Sequence, residues 1–186
     1  VIDGTRVLQP GGVRLDLSAI AKGFGVDQVS RRLARRGFEN HLVEVGGELR
    51  GSGLRADGQP WWVDLMAPPA AAGSTTALPL TRVALHGLSV ATSGDYLRHF
   101  DDAAGVRRSH TIDPRSGRPV EHGLCSVSVL HAECLLADAL STALTVLGPA
   151  HGLRFANAHG IAALFVERRG DALVETLSPA FDALLV

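Results

Sequence analysis

The sequence predicts an α+β fold in which mixed or antiparallel sheets pack against helices. Three observations lead there. Short apolar runs of strand length recur along the chain, two segments carry helical periodicity, and strands do not alternate strictly with helices as a βαβ protein requires. The 186 residues suit one domain or two closely packed subdomains, read here as one unit over 1–186 with a flexible connection at about 67–77. Hydrophobic residues make up 46% of the chain but aromatic ones only 5%, so the core is expected to be aliphatic.

Residues 13–17 alternate as a short strand, and Ser18 is placed to cap a following helix that carries Ile20, Val26, Val29 and Leu33 at near-helical spacing. Arg31, Arg32, Arg35 and Arg36 load its last turn, and Gly37 ends it. Residues 41–45 read as a buried strand reaching Gly46-Gly47, with 48–53 as its continuation or return. Further strands are predicted at 61–66, 82–85 and 89–92, the last broken by Ser93-Gly94. Residues 101–105 turn the chain between strands at 96–100 and 107–112, and Asp113-Pro114-Arg115-Ser116-Gly117 is a second turn. Residues 125–130 alternate as a strand. The clearest helix is 132–147, ended by Gly148-Pro149, and a short helix at 150–158 precedes strands at 161–166 and 172–176.

A formal net charge of −1 excludes a generally basic nucleic-acid binder. No apolar run approaches the ~20 residues of a membrane span. Cys125 and Cys134 form neither a disulfide framework nor a CxxC pair and read as buried thiols. The chain opens Val1-Ile2-Asp3-Gly4, without an initiator Met or a secretory leader, and reads as a piece of something longer.

Five stretches have residue types suited to chemistry. In Asp16-Leu17-Ser18-Ala19-Ile20-Ala21-Lys22-Gly23, a helix start offers free amides to phosphate, and Lys22, the only lysine, adds a point charge. The same residues also suit an ordinary capped helix. Gly46-Gly47 permits close backbone approach to a ligand, or simply a turn. Ala91-Thr92-Ser93-Gly94-Asp95-Tyr96 places small hydroxyl residues at a strand end. In Ser109-His110-Thr111-Ile112-Asp113-Pro114, His110 is expected on a strand before a turn, where its imidazole can accept a hydroxyl proton, with Asp113 a candidate to orient it. In Ala137-Asp138-Ala139-Leu140-Ser141-Thr142, Asp138 and Thr142 are four residues, roughly 400°, apart on a helix and nearly superposed. Their oxygens are hard ligands suited to Mg²⁺. No zinc-type histidine spacing, GxSxG, P-loop or GxGxxG is present.

Taken in order, these stretches resemble the FAD:protein FMN transferases of the ApbE family. The carrying residues are 16–27, Val45-Gly46-Gly47-Glu48, 91–96, the run His110 through Pro119, and 137–144. The resemblance implies an ApbE-like, T-fold-like architecture. It implies an Mg²⁺-dependent enzyme that splits the diphosphate of FAD, passes FMN to a threonine hydroxyl of an acceptor protein and releases AMP. By matching position, Asp16 and Lys22 would contact FAD, while the Ala19 carbonyl, Asp138 and Thr142 would bind Mg²⁺. Gly46, Gly47, Ser93 and Ile112 would line the flavin and phosphate site, and His110 would be the base that activates the threonine. Relatives can carry an acidic residue where this chain has Ser141, which would make the metal site less anionic. The chain resembles the C-terminal part of such an enzyme, with a preceding segment expected to complete the pocket. The implied location is the periplasmic face of the cell envelope, as a lipoprotein. An Mg²⁺-dependent FAD diphosphatase and a non-catalytic flavin- or metal-binding module remain the alternatives.

Overall fold

The computed structural model describes residues 2–3, 5–8, 11–12, 16–69, 78–96 and 99–185. Its centre is a six-stranded antiparallel sheet. In spatial order the strands are β14 (Ala172–Leu177), β13 (Ala162–Arg169), β12 (Leu124–His131), β7 (Ser89–Gly94), β4 (Glu48–Ser52) and β3 (His41–Val45). Helices α1 (Ala21–Arg35) and α2 (Cys134–His159) pack on one face. The ribbon of β5 (Trp61–Asp64) and β6 (Arg82–Leu85) covers the other face, together with α3 (Pro179–Asp182). Three smaller antiparallel ribbons complete the described chain: β1 (Ile2–Asp3) with β2 (Arg6–Val7), β8 (His99–Asp101) with β9 (Arg107–Ser109), and β10 (Ile112–Asp113) with β11 (Arg118–Pro119). The expected α+β class holds.

Because both faces are covered, neighbouring residues on one strand enter different cores. Ala91 and Phe165 pack under α2 with Val127, Val129, Ala137 and Leu144, whereas Val90 and Leu164 join Leu65, Leu85 and Phe181 on the other side. Seven of the eight residues of β12 are buried, so the alternation expected of 125–130 is not one of wet and dry faces.

The two helices meet where Gly23 of α1 crosses Cys134 of α2. A Cβ on Gly23 would stand 2.3 Å from the Cys134 carbonyl oxygen, so only glycine permits this approach. Each helix then caps the other. Asp138 Oδ2 accepts from the Gly23 amide at 2.9 Å, in the first turn of α1. Asp27 accepts from the Cys134 and Leu135 amides at 3.1 and 3.0 Å, in the first turn of α2. These are first-turn donors that a helix cannot satisfy internally. Arg50 balances the buried Asp27 at 2.9 Å and also reaches the Ala132 carbonyl. The helix therefore starts at Ala21, capped from across the interface, and Ser18 does not serve as its N-cap. Ser18 instead donates its amide and hydroxyl to Asp16 at 2.8 and 2.5 Å, which closes a turn ahead of the helix.

Residues 13–15 of the expected first strand lie outside the described residues, as do 70–77 of the connection; Asp16 and Leu17 are not in a strand. Gly37 ends α1 with φ +86°, as predicted. Gly46 and Gly47, at φ +59° and +97°, form the two-residue turn of the β3–β4 hairpin, whose register pairs Val45 with Glu48. β7 runs through Ser93-Gly94 instead of breaking there, because β12 pairs with both residues.

At Gly148 (φ 76°, ψ 175°) the backbone of α2 leaves the helical region. Pro149 has no N–H for the Thr145 carbonyl, and His122 Nε2 supplies the donor at 2.7 Å. A carbonyl can only accept, so Nε2 carries the proton, and Nδ1 accepts from the Leu124 amide at 3.4 Å. Taken whole, α2 meets the length and hydropathy of a membrane span, although the sequence divides it at this point; in the fold it packs on the sheet.

Two predictions test this packing. Gly23→Ala must push α1 off the Cys134 carbonyl, lowering unfolding free energy in urea by about 1–3 kcal/mol or more. Both cysteines are buried, and burial raises both thiols, Cys134 up to about 12. A thiol-specific disulfide reagent at pH 8 should therefore leave both unmodified in the folded protein and titrate both in denaturant.

Candidate active site

A cleft of about 620 Å³ opens beside the crossing of α1 and α2. Its wall is assembled from the 16–20 turn, Lys22, the Gly46 turn, the end of β7, the 110–114 segment and the middle of α2. It brings together Asp16, Ala19, Lys22, Gly46, Ser93, His110, Ile112, Asp138 and Thr142. Gly47 is not on the wall. It shapes the hairpin turn behind it, with its amide donating to Glu44 Oε1 at 3.2 Å. His110 is not on a strand either. It sits exposed in the link between β9 and β10, held at the cleft mouth by the two ribbons. Asp113 is engaged by its own turn: the Arg115 amide and guanidinium hold its carboxyl below the usual range.

Three of the lining residues carry hard oxygens: Ala19 its carbonyl, Asp138 its carboxylate and Thr142 its hydroxyl. The Ala19 carbonyl precedes α1, and Asp138 takes the Gly23 amide that only a longer helix would have bonded to it. The same bond fixes the Asp138 carboxylate, which is only 3% exposed, at the base of the cleft. The Thr142 hydroxyl is oriented by a relay. Ser141 Oγ donates to the Asp138 carbonyl at 2.9 Å, an acceptor only. Having used its proton, Ser141 accepts from Ser93 Oγ at 2.8 Å, and Ser93 in turn accepts from Thr142 Oγ1 at 2.8 Å. The Thr142 proton therefore points at β7, leaving lone pairs for the cleft. Ser141, fully buried, is a member of this relay rather than a missing ligand.

The donor set fits a hard cation. It offers a carbonyl, a carboxylate and a hydroxyl, and among the described residues no group of three or more His, Cys, Asp and Glu gathers elsewhere to compete. Such a set suits Mg²⁺, which keeps several waters and takes few protein ligands.

Charge on the wall is mixed. Asp16 is exposed, and its two bonds from Ser18 hold its carboxyl below the ordinary value. Lys22 Nζ lies 2.5 Å from Glu48 Oε1 and 3.5 Å from the Gly46 carbonyl. Glu48, at the start of β4, is 1% exposed, and burial drives its carboxyl up, partly offset by Lys22 and reinforced by Asp138.

Sequence reasoning gave no role to Glu48 or Tyr96, although both stand inside the motifs quoted above. Tyr96, the single tyrosine, lines the cleft, with burial pushing its hydroxyl up. A Cβ on Gly94 would meet its ring at 2.9 Å, so Gly94 makes room for it. Thr92, Thr111, Pro114 and Val146 complete the wall and carried no signal of their own.

The model of the ApbE family matches residues 1–165. A FAD:protein FMN transferase of Vibrio cholerae is 40% identical over 171 residues, covering 92% of this chain and 50% of the relative. The Escherichia coli K12 protein of the same name is 36% identical over 172 residues, with 92% and 48% covered. Among solved structures, the Pseudomonas stutzeri flavinyl transferase ApbE in its apo form superposes with a TM-score of 0.81 at 46% identity, over 92% of this chain and 51% of that one. The ApbE protein of Thermotoga maritima gives 0.73 at 32% identity, over 94% and 54%. The chain thus spans about half the length of the curated relatives it matches. With the family model matching 1–165 and the sheet, helices and cleft described above, this chain belongs to the ApbE family.

Proposed function

We propose that this chain carries the cation-, diphosphate- and base-bearing residues of an Mg²⁺-dependent flavin transferase that moves FMN from FAD to a threonine hydroxyl of an acceptor protein. The observation that supports it most is that Ala19, Asp138 and Thr142 line the same cleft as Lys22 and His110. The names of the relatives supply the FAD and the acceptor protein.

In this reading the threonine oxygen forms a bond to the FMN phosphorus as the bond to the bridging oxygen of AMP breaks. The threonine proton passes to His110, and AMP departs with the bridging oxygen. Lys22 places a point charge against the diphosphate, and the Gly46 turn brings backbone close to it. Asp16, with one oxygen fixed by Ser18, offers the other to a donor on the ligand. Ser93 and Ile112 wall the flavin and phosphate space. Mg²⁺, when held by Ala19, Asp138 and Thr142, supplies charge neutralisation for the diphosphate. The wall needs that cation: Asp16 and Asp138 line it, Glu48 stands behind, and Lys22 is the single lysine against them. A diphosphate entering alone would meet carboxylates.

Water competes as acceptor because His110 is exposed at the mouth, so FAD hydrolysis to FMN and AMP is the second reading. The setting carried with either reading is the periplasmic face of the cell envelope, as a lipoprotein.

Incubation with FAD, Mg²⁺ and a threonine-bearing acceptor distinguishes the outcomes. Flavinylated acceptor supports transfer, free FMN with AMP supports hydrolysis, and unchanged FAD overturns both. Chelation of Mg²⁺ should stop turnover. Asp138→Asn keeps an oxygen for the Gly23 amide but removes the charge, so the Mg²⁺ concentration for half-maximal rate should rise by about tenfold or more with the fold intact. Asp138→Ala also removes the cap of α1 and should lower stability as well, by about 1–3 kcal/mol. His110→Ala should cut the transfer rate by about a hundredfold or more while FAD affinity changes little, because a base acts in the transition state. Collapse of FAD affinity instead would make His110 a binding residue.

A further inference from the structure

We propose that Glu48 is a positioning residue that sets, through Lys22, how strongly the cleft attracts a diphosphate before and after a cation binds; this rests on the reading above. Glu48 does not line the cleft. It stands behind the Gly46 turn as the first residue of β4, with its side chain 2% exposed, and it grips a Lys22 side chain that is 34% exposed. The ammonium is thus presented to the cleft from a buried carboxylate. Only Oε1 of that carboxylate is engaged. Oε2 is, among the described residues, the one buried side-chain polar atom with no hydrogen-bond partner.

Burying a carboxylate with one oxygen left without a hydrogen-bond partner is unfavourable for stability alone. Such an arrangement has a consequence for binding. With Glu48 2.5 Å away, the Lys22 charge is largely cancelled at a distance, and an incoming diphosphate feels Asp16 and Asp138 more than the lysine. The cleft then favours the cation first and the diphosphate with it. Glu48 also adds negative charge on the side of Asp138, which strengthens cation binding. Its geometric role is to hold Nζ between the Gly46 carbonyl and the cleft instead of letting a flexible four-carbon stem wander.

Removing the Glu48 charge while keeping its shape should move two affinities in opposite directions. In Glu48→Gln, ADP, a metal-free diphosphate probe, should bind more tightly in chelator by roughly five- to tenfold. That is the scale of one ammonium released from its ion pair to turn onto the diphosphate, at an effective dielectric between about 20 and 80. Mn²⁺ binding, followed by its electron paramagnetic resonance signal without nucleotide, should weaken several-fold. A structural role alone would move both the same way, or neither. The double variant Lys22→Met/Glu48→Gln removes both charges and keeps the test available if the single variant misfolds. Against Lys22→Met, the added Glu48→Gln change should leave ADP affinity within about twofold, because Glu48 acts through the lysine. ADP binding by Glu48→Gln that is unchanged or weaker, or an equal effect in the Lys22→Met background, overturns the proposal. Wild-type protein that binds neither Mn²⁺ nor ADP overturns the functional reading and this inference with it. Wild type that binds both, with an unmoved variant, overturns the inference alone.

Discussion

The crossing of α1 and α2 at Gly23 is the constraint on which the rest depends. At that point each helix supplies a carboxylate to the unsatisfied first-turn amides of the other, Asp138 to Gly23 and Asp27 to Cys134 and Leu135. Residues 23 and 27 of α1 thus bond residues 138 and 134–135 of α2 around the point where Gly23 meets Cys134. A buried carboxylate is tolerated only when paired and hydrogen-bonded, and here two amides and Arg50 surround Asp27. Removing Asp27 would strand two helix amides and the mostly buried Arg50 side chain, at a cost of about 3 kcal/mol. The helices cannot slide along each other without stranding both carboxylates.

That mechanical lock is also what prepares the site. The bond that caps α1 also holds the Asp138 side chain on the cleft that Ala19 lines. A chain of hydroxyls from Thr142 through Ser93 and Ser141 ends on the backbone carbonyl of Asp138 itself. One residue of α2 thus supplies a side chain to cap a helix and a carbonyl to orient a neighbouring hydroxyl. The bonds that fold this region therefore also hold the Asp138 carboxylate and the Thr142 hydroxyl in place before any ligand arrives. Preorganisation of this kind avoids rearrangement when charge develops.

Much of this was legible one residue at a time. Gly37, Gly46-Gly47 and Gly148-Pro149 mark chain reversals and helix ends because backbone at positive φ, or lacking an N–H, has few local solutions. Nine of the ten residues singled out lie on one cleft. The misreadings have a common cause. Ser18 looked like a cap because its chemistry suits one, but its hydroxyl bonds Asp16. The Leu17 carbonyl holds the Ile20 and Ala21 amides it would have reached, and α1 is capped by Asp138, 115 positions away. Ser93-Gly94 looked like a strand end, but pairing with β12 carries β7 through both. His110 was placed on a strand that stops one residue earlier. Glu48 sat in a quoted motif with no role, because nothing local says that Lys22 will cross to β4 and meet it.

The sequence by itself therefore determined the class of fold, most segment boundaries and the residue types available for chemistry, since these follow from turn geometry, periodicity and local sterics. Only tertiary structure decided which donor each polar group would find. Hydrogen bonds between Asp138 and Gly23, Asp27 and Cys134, or Lys22 and Glu48 join residues far apart in the chain, and their energies depend on burial that no single segment encodes.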